Sequence, residues 1–268
     1  MTHYIIASPP VRAGLGNRIK CLVSCLSICD QIENSQLLLG WSKSDNFNCE
    51  VYDLFENDFM LFTEVKEQIK NQQKSHDEHK VTYVNTWRLI SSLDEISMDP
   101  KIRASQPSKI DCKYHSIEPK RIESLLPYFD RLKIKKTIRD RVDTFAQKFD
   151  QNTISIALRT WADCEERQYL FKIDKVYSML DRYPNAQFFI SCDSAEVLDQ
   201  IKTRYGQQVL SYPVKVDRGE RNSKEGIQDA LIECLLLSKN SLLKASRMST
   251  FSEVAWWFGG CKAEVELI

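Results

Sequence analysis

Thr153-Ile154-Ser155-Ile156-Ala157-Leu158 is a β-branched and apolar run, bounded by Asp150-Gln151-Asn152 before it and polar residues after it. A run this short and apolar between polar flanks reads as a strand. From it to the C-terminus, strand and helix patterns alternate. Residues 172–182 carry Ile173, Val176, Tyr177 and Leu180 on one helical stripe, and 187–191 (QFFIS) read as a strand. Residues 194–205 form a helical pattern opened by Asp193 or Ser194 and ended by Gly206. A short strand at 208–212 (QVLSY), an apolar helix at 225–238 and a strand at 241–245 (SLLKA) follow. A helix at 250–258, ended by Gly259-Gly260, and a last strand at 263–267 (AEVEL) complete the pattern. Such alternation implies a parallel sheet with helices on its faces, a Rossmann-like domain of about 120 residues.

Towards the N-terminus the pattern is less regular. Residues 3–8 (HYIIAS), 17–33 and 36–41 (QLLLGW) read as strand, helix and strand, one βαβ unit, with a third strand expected at 81–84 (VTYV). Residues 64–80 are polar and contain His76 and His79; they read as a surface helix and loop. Pro100 and Pro107 mark 95–113 as a long loop. Residues 133–149, KIKKTIRDRVDTFAQKF, form a basic amphipathic pattern expected to cross between the halves. The expected division is 1–130 and 131–268.

The length of 268 residues suits one large or two modest domains. Apolar residues at 43% and charged residues at 28% are ordinary globular values, which exclude a disordered or fibrous chain. The 37 Lys and Arg balance 37 Asp and Glu. A nucleic-acid coat or a binder of acidic membranes needs a basic excess, so neither partner is expected. The start, MTHYIIASPPVRAG, has no basic n-region and no long apolar stretch, and no segment approaches the ~20 apolar residues of a membrane helix. A soluble, cytoplasmic protein is expected. Nine cysteines without a CxxC pair fit a reducing compartment. Cys21, Cys25 and Cys29 are spaced to share one helix face, where free cysteine reads as a small apolar packing residue rather than a metal or redox set.

Three segments could carry chemistry. Gly14-Leu15-Gly16-Asn17-Arg18 lies between the first strand and a long helix. Glycines there admit a ligand to the backbone, and a helix start attracts anions; a plain tight turn is the alternative. A dinucleotide fingerprint is disfavoured, because Ile19 takes the last glycine position and Leu39-Gly40-Trp41 offers no acidic residue after the second strand. Arg159 follows the 153–158 strand, the end at which ligands of open α/β sheets bind. It reads either as a bidentate diphosphate holder or as a surface ion pair with Asp163 or Glu165. In Ser249-Thr250-Phe251-Ser252-Glu253, Thr250 and Glu253 fit a capping box, and a capped helix start is also a good place for a phosphate.

In order and spacing, these segments resemble the fucosyltransferase superfamily, which includes α1,2-, α1,6-, protein O- and nodulation fucosyltransferases. Residues 188–193 (FFISCD) and the stretch EGIQDALIECLLLSKNSLLKASRMSTFSEVAWWFGG, 225–260, carry the resemblance together with the Gly14–Arg18 loop and Arg159. It implies an α/β, GT-B-like fold: two Rossmann-like domains with mainly parallel sheets facing a cleft. The first, 1–130, would lie on the acceptor side, and the second, 131–268, would bind the nucleotide sugar. It implies an inverting, metal-independent glycosyltransferase moving fucose from GDP-fucose to a glycan acceptor, with no cofactor besides the donor.

By the same resemblance, Arg159 holds the donor diphosphate, and Ser249, Thr250 and Phe251, with Ser252 beside them, contact phosphate and nucleotide. Asn17 faces the reacting sugar, and Gly14, Gly16 and Arg18 belong to the same donor-binding loop. Glu233 stands where an acidic residue reads the guanine amino group. Asp193 stands where a Thr-Asp pair is common, with Cys192 in place of the Thr. The family pattern HxRxxD reads Ala157-x-Arg159-x-x-Ala162 here, with an acidic residue one place late at Asp163. The missing His leaves a rival reading, a non-catalytic nucleotide- or glycan-binding protein that keeps the fold. The base that takes the acceptor proton is not selected among Asp45, Glu50 and Asp53.

Overall fold

The computed structural model describes residues 2–74, 80–86, 88–97, 114–161, 164–214 and 220–268. His76, His79, Pro100, Pro107, Ala162 and Asp163 lie outside them. The described chain falls into two units, one of residues up to 97 with 117–135, the other of 114–116 with 136–268.

In the first unit, strand β1 (His3–Ala7) pairs in parallel with β2 (Ser35–Leu39) on one side and β3 (Lys80–Val84) on the other. Parallel neighbours need crossovers. Helix α1 (Leu15–Asp30) carries the chain from β1 to β2, and α2 (Phe62–Lys74) lies between β2 and β3. Every residue of α1 from Leu15 to Ile28 is buried, so this helix is core on all sides.

A four-residue helix, α3 (Asp94–Ser97), precedes α4 (Pro119–Asp130). The sequence reading leaves 114–130 without an element. Ile122, Leu125, Leu126 and Phe129 do carry helical spacing, but Pro119 and Pro127 mask it. Pro119 is harmless at the first turn, where its N–H would have no acceptor, and Leu125 and Phe129 are buried. The basic segment starts as a strand-like tie rather than a helix: Glu56 N–H bonds to the Lys133 carbonyl (2.7 Å) and Lys135 N–H to that of Leu54 (2.9 Å). Helix α5 therefore spans only Lys136–Ala146 of the expected 133–149.

The second unit is built on β4 (Thr153–Leu158), buried along its whole length. Around it stand β5 (Gln187–Cys192), β6 (Val209–Leu210), β7 (Leu242–Ala245) and β8 (Glu264–Leu267), all parallel, in the order β6-β5-β4-β7-β8. Helices α6 (Ile173–Leu180), α7 (Ala195–Tyr205), α8 (Lys224–Leu237) and α9 (Thr250–Phe258) are the crossovers. The chain runs from the central strand to one edge, then returns and builds the other side. That is a doubly wound, Rossmann-like sheet whose order reverses between β4 and β7. Ile154, Ile156 and Leu158 pack with Phe188 and Ile190 against Val176, Met179 and Leu180 of α6 and Leu198 and Ile201 of α7.

The expected helix ends hold with two refinements. Ser194, not Asp193, caps α7, its hydroxyl accepting the Val197 N–H at 3.3 Å, and Gly206 ends it at φ +58°. Ser249, not Thr250, caps α9, accepting the Ser252 N–H at 3.4 Å. Residues 114–116 belong here because the Tyr114 ring meets Trp256 edge-on at 5.6 Å and His115 Nε2 accepts the Val265 N–H at 2.9 Å. Among the described residues no helix is long and apolar enough to cross a membrane.

Candidate functional site

Ligands of doubly wound sheets bind outside the carboxyl ends of the strands, where the strand order reverses. In the second unit, that point is filled by the residues after β4, β5 and β7. Beyond β7, Ser246 N–H bonds to the Ala157 carbonyl (3.0 Å), and the Ser246 hydroxyl accepts the Arg159 N–H (2.8 Å). Asp193, released from capping, forms an ion pair with the Arg159 guanidinium and accepts the Thr160 N–H at 2.7 Å. One carboxylate thus fixes both the side chain and the backbone of the segment after β4. Two residues on, Trp161 adopts φ +59°, a left-handed conformation that is costly for a bulky residue. Its ring lies 4.9 Å from the Arg159 guanidinium carbon.

The start of α9 comes next along this edge. Met248 also has φ +59°, and it turns the chain into Ser249. The Ser249 oxygen is occupied as cap, and Ser252 donates its hydroxyl to the Ser249 carbonyl (3.1 Å). Thr250 and Phe251 are half-buried, and helix geometry leaves their N–H groups without intrahelical acceptors. Behind β5, Glu233 of α8 is buried and accepts the Ser191 hydroxyl at 3.0 Å. One helical turn earlier, Asp229 is paired with Arg141 of α5, which also donates to the Tyr212 hydroxyl at 2.7 Å.

In the first unit, the loop after the central strand β1 leads into α1. Gly14 is the α1 cap at φ −73°, and a Cβ there would meet nothing within 4 Å, so neither conformation nor crowding demands glycine. Gly16 is buried in the first turn. Arg18 is 1% exposed: its Nε donates to the Ala13 carbonyl (2.9 Å), and its guanidinium lies 4.1 Å from the centre of the Phe47 ring and 5.4 Å from that of Trp41. Burial pushes its pKa down to about 10. Arg18 therefore braces this loop from below. Beside it, Asn17 Oδ1 and Arg18 Nη1 are buried without hydrogen-bond partners among the described residues.

Of the carboxylates considered as bases, Asp53 accepts the Glu50 N–H (3.1 Å) and Glu50 pairs with Lys43 (2.8 Å), while Asp45 is exposed on the Ser44–Phe47 turn. Cys21 and Cys25 are buried in α1, where the Cys21 thiol reaches the Val84 carbonyl at 3.4 Å. Among the described residues no group of three or more His, Cys, Asp or Glu is placed to hold a metal ion.

Neither a protein-family model nor a curated protein sequence matches the chain. Solved structures do. NodZ α-1,6-fucosyltransferase co-crystallised with GDP has a TM-score of 0.57 at 18% identity, over 95% of this chain and 92% of that one. NodZ from Bradyrhizobium gives 0.58 at 19% identity over 95% and 91%. The chain has a fucosyltransferase fold. The same fucosyltransferase fold relates it to a variant of Arabidopsis thaliana FUT1 in complex with GDP (TM-score 0.55, 15% identity, 100% and 70% covered). It also relates it to POFUT1 in complex with GDP (0.55, 11%, 99% and 98%). This agrees with the GT-B-like class of two Rossmann-like units with parallel sheets expected from the sequence.

Proposed function

We propose that this chain is an inverting, metal-independent glycosyltransferase that moves fucose from GDP-fucose to a glycan acceptor. The observation that carries the reading is the Arg159–Asp193 pair beside the start of α9, at the reversal point of a sheet whose fold is shared with GDP-bound fucosyltransferases. In this reading, the acceptor oxygen attacks the sugar carbon as its bond to the diphosphate breaks, and a carboxylate takes the acceptor proton. Negative charge grows on the leaving diphosphate. Arg159 and the amino end of α9, with Ser249, Thr250 and Phe251, meet that charge, Ser252 holds the turn through its two bonds to Ser249, and Asp193 positions Arg159. Glu233 reads the guanine, and Asn17 contacts the sugar from the first turn of α1, which Gly14 caps and which includes Gly16; from that turn Arg18 braces the preceding loop through the Ala13 carbonyl. The eight thiols, free among the described residues, suit a cytoplasmic enzyme.

One observation favours the rival reading of a non-catalytic nucleotide- or glycan-binding protein. Ala157, at the place of the family's His, is buried inside β4 and brings no titratable group. Donor hydrolysis without acceptor separates the two, because an enzyme leaks some product and a binding protein none.

GDP is expected to raise the melting temperature more than UDP, ADP or NAD. At 100 times its dissociation constant, it should add about 2.7 kcal/mol. Equal or greater stabilisation by UDP in a thermal-shift panel would remove the GDP-fucose reading and leave only the fold. Transfer is also expected to survive EDTA, since the sequence has no DxD segment and the charge on the leaving group is met by Arg159 and a helix start. Loss of transfer with EDTA and its recovery with Mg²⁺ or Mn²⁺ would overturn the metal-free mechanism.

A further inference from the structure

We infer that Arg167 is a second diphosphate-binding arginine of the C-terminal unit, an inference that rests on the nucleotide-sugar reading above. Arg159 alone leaves a charge deficit there. Its cation is balanced by Asp193, so the pair offers a diphosphate geometry but little net positive charge. A diphosphate carries more than one negative charge and needs a cation without a fixed counter-ion.

Arg167 has the right placement. It lies on the 3-10 turn Glu165–Leu170 that follows β4. The turn is tied back to Trp161 by two backbone bonds, Cys164 N–H to the Trp161 carbonyl and Arg167 N–H to the Cys164 carbonyl, each 2.9 Å. The Arg167 guanidinium carbon is 4.9 Å from the centre of the Trp161 ring, the same distance as that of Arg159. Two guanidinium groups therefore share one indole at the carboxyl end of the central strand. A cation beside an aromatic face is attracted by the ring, so the indole helps to hold both groups at this end of the sheet. Trp161 itself is held at φ +59°, a conformation that persists only where the surroundings over-determine it.

Among the described residues no side-chain hydrogen bond or ion pair engages Arg167. The adjacent carboxylate, Glu166, is exposed and accepts the Cys164 thiol at 3.3 Å. Arg167 thus keeps its planar fork of donors for an anion, held half-buried over an aromatic face.

Titration calorimetry on the full chain with GDP and with inorganic pyrophosphate tests this. Arg167→Ala is expected to weaken both ligands about tenfold or more, with Arg167→Lys recovering part of the loss. Arg167→Gln keeps the stem over the indole and should show the same loss as alanine, so a packing defect is separated from the missing charge. Arg204→Ala removes an equal charge at the far end of the sheet, where Arg204 pairs with Asp181 at 2.9 Å, and should leave both affinities unchanged. Wild-type affinity for GDP in Arg167→Ala and Arg167→Gln overturns the inference and leaves the functional reading standing. An equal loss in Arg204→Ala also overturns it, because the effect is then one of overall charge. Failure of the wild-type chain to bind either ligand overturns the functional reading and this inference with it.

Discussion

Replacing Arg159 by alanine is expected to lower transfer by roughly a hundredfold or more, the scale set by removing one donor to a developing oxyanion. It should also cost stability. The side chains of Arg159 and Asp193 are only 26% and 14% exposed, so the pair is largely out of water. Without its cation, Asp193 keeps the Thr160 N–H but loses its charge partner, a cost of about 1–3 kcal/mol. Arg159→Lys separates the two effects. It returns a charge to Asp193 and with it most of the stability, but a point charge lacks the planar fork and should restore little transfer. Steady-state kinetics and a melting curve on each variant measure both quantities. Full transfer in Arg159→Ala would sink the mechanism and move the reading to a binding protein. Loss of transfer that tracks loss of folded protein would assign Arg159 to the fold alone.

The largest stability effect is expected at a pair remote from the reacting groups. Arg141 on α5 reaches Asp229 on α8, whose side chain is 2% exposed. Removing one partner of a buried ion pair costs about 3–5 kcal/mol, because the other charge stays buried and loses the opposite charge that offset its desolvation. Arg141→Ala also gives up the bond to the Tyr212 hydroxyl and the contact with its ring, 5.4 Å from the guanidinium carbon. The melting temperature should fall by about 10 °C or more. A loss below about 1 kcal/mol would show that the pair behaves like an exposed one. Because α8 also carries Glu233, GDP affinity should fall in the same variant.

Much of the second unit was legible before any coordinates, because its strands are short apolar runs between polar flanks. Gly206, at φ +58°, also does in the structure what a helix-ending glycine is expected to do. Helix α4 was hidden by Pro119 and Pro127, although its apolar spacing was present. The partners of the charged residues were not legible at all. Asp193 meets Arg159 across 34 residues only because β5 lies beside β4 in parallel register, and Asp229 meets Arg141 across 88 because α5 packs on α8. Sheet neighbours are a tertiary outcome that local patterning does not encode. Arg18 illustrates the opposite hazard. Its motif suggests a ligand contact, and the structure buries it because Trp41 and Phe47 close over it from a later loop. Arg167, set among Glu165, Glu166 and Gln168, gives no signal in sequence and looks like solvated surface.

The position of β4 at the centre of the sheet also dictates an order of assembly. Its first neighbour, β5, follows soon after it in the chain, so Arg159 can meet Asp193 while synthesis is still under way. Its other neighbour, β7, comes much later, and the Ser246 hydroxyl that holds the Arg159 N–H is 87 residues away. Closing so long a loop carries an entropic cost that must be met before the contact returns anything. The nascent chain therefore has its arginine and its carboxylate before it has the helix start beside them. On the proposed reading, full anion binding at this edge is expected only of the nearly finished unit, and a ribosome-bound chain that ends before β7 is expected to bind GDP more weakly.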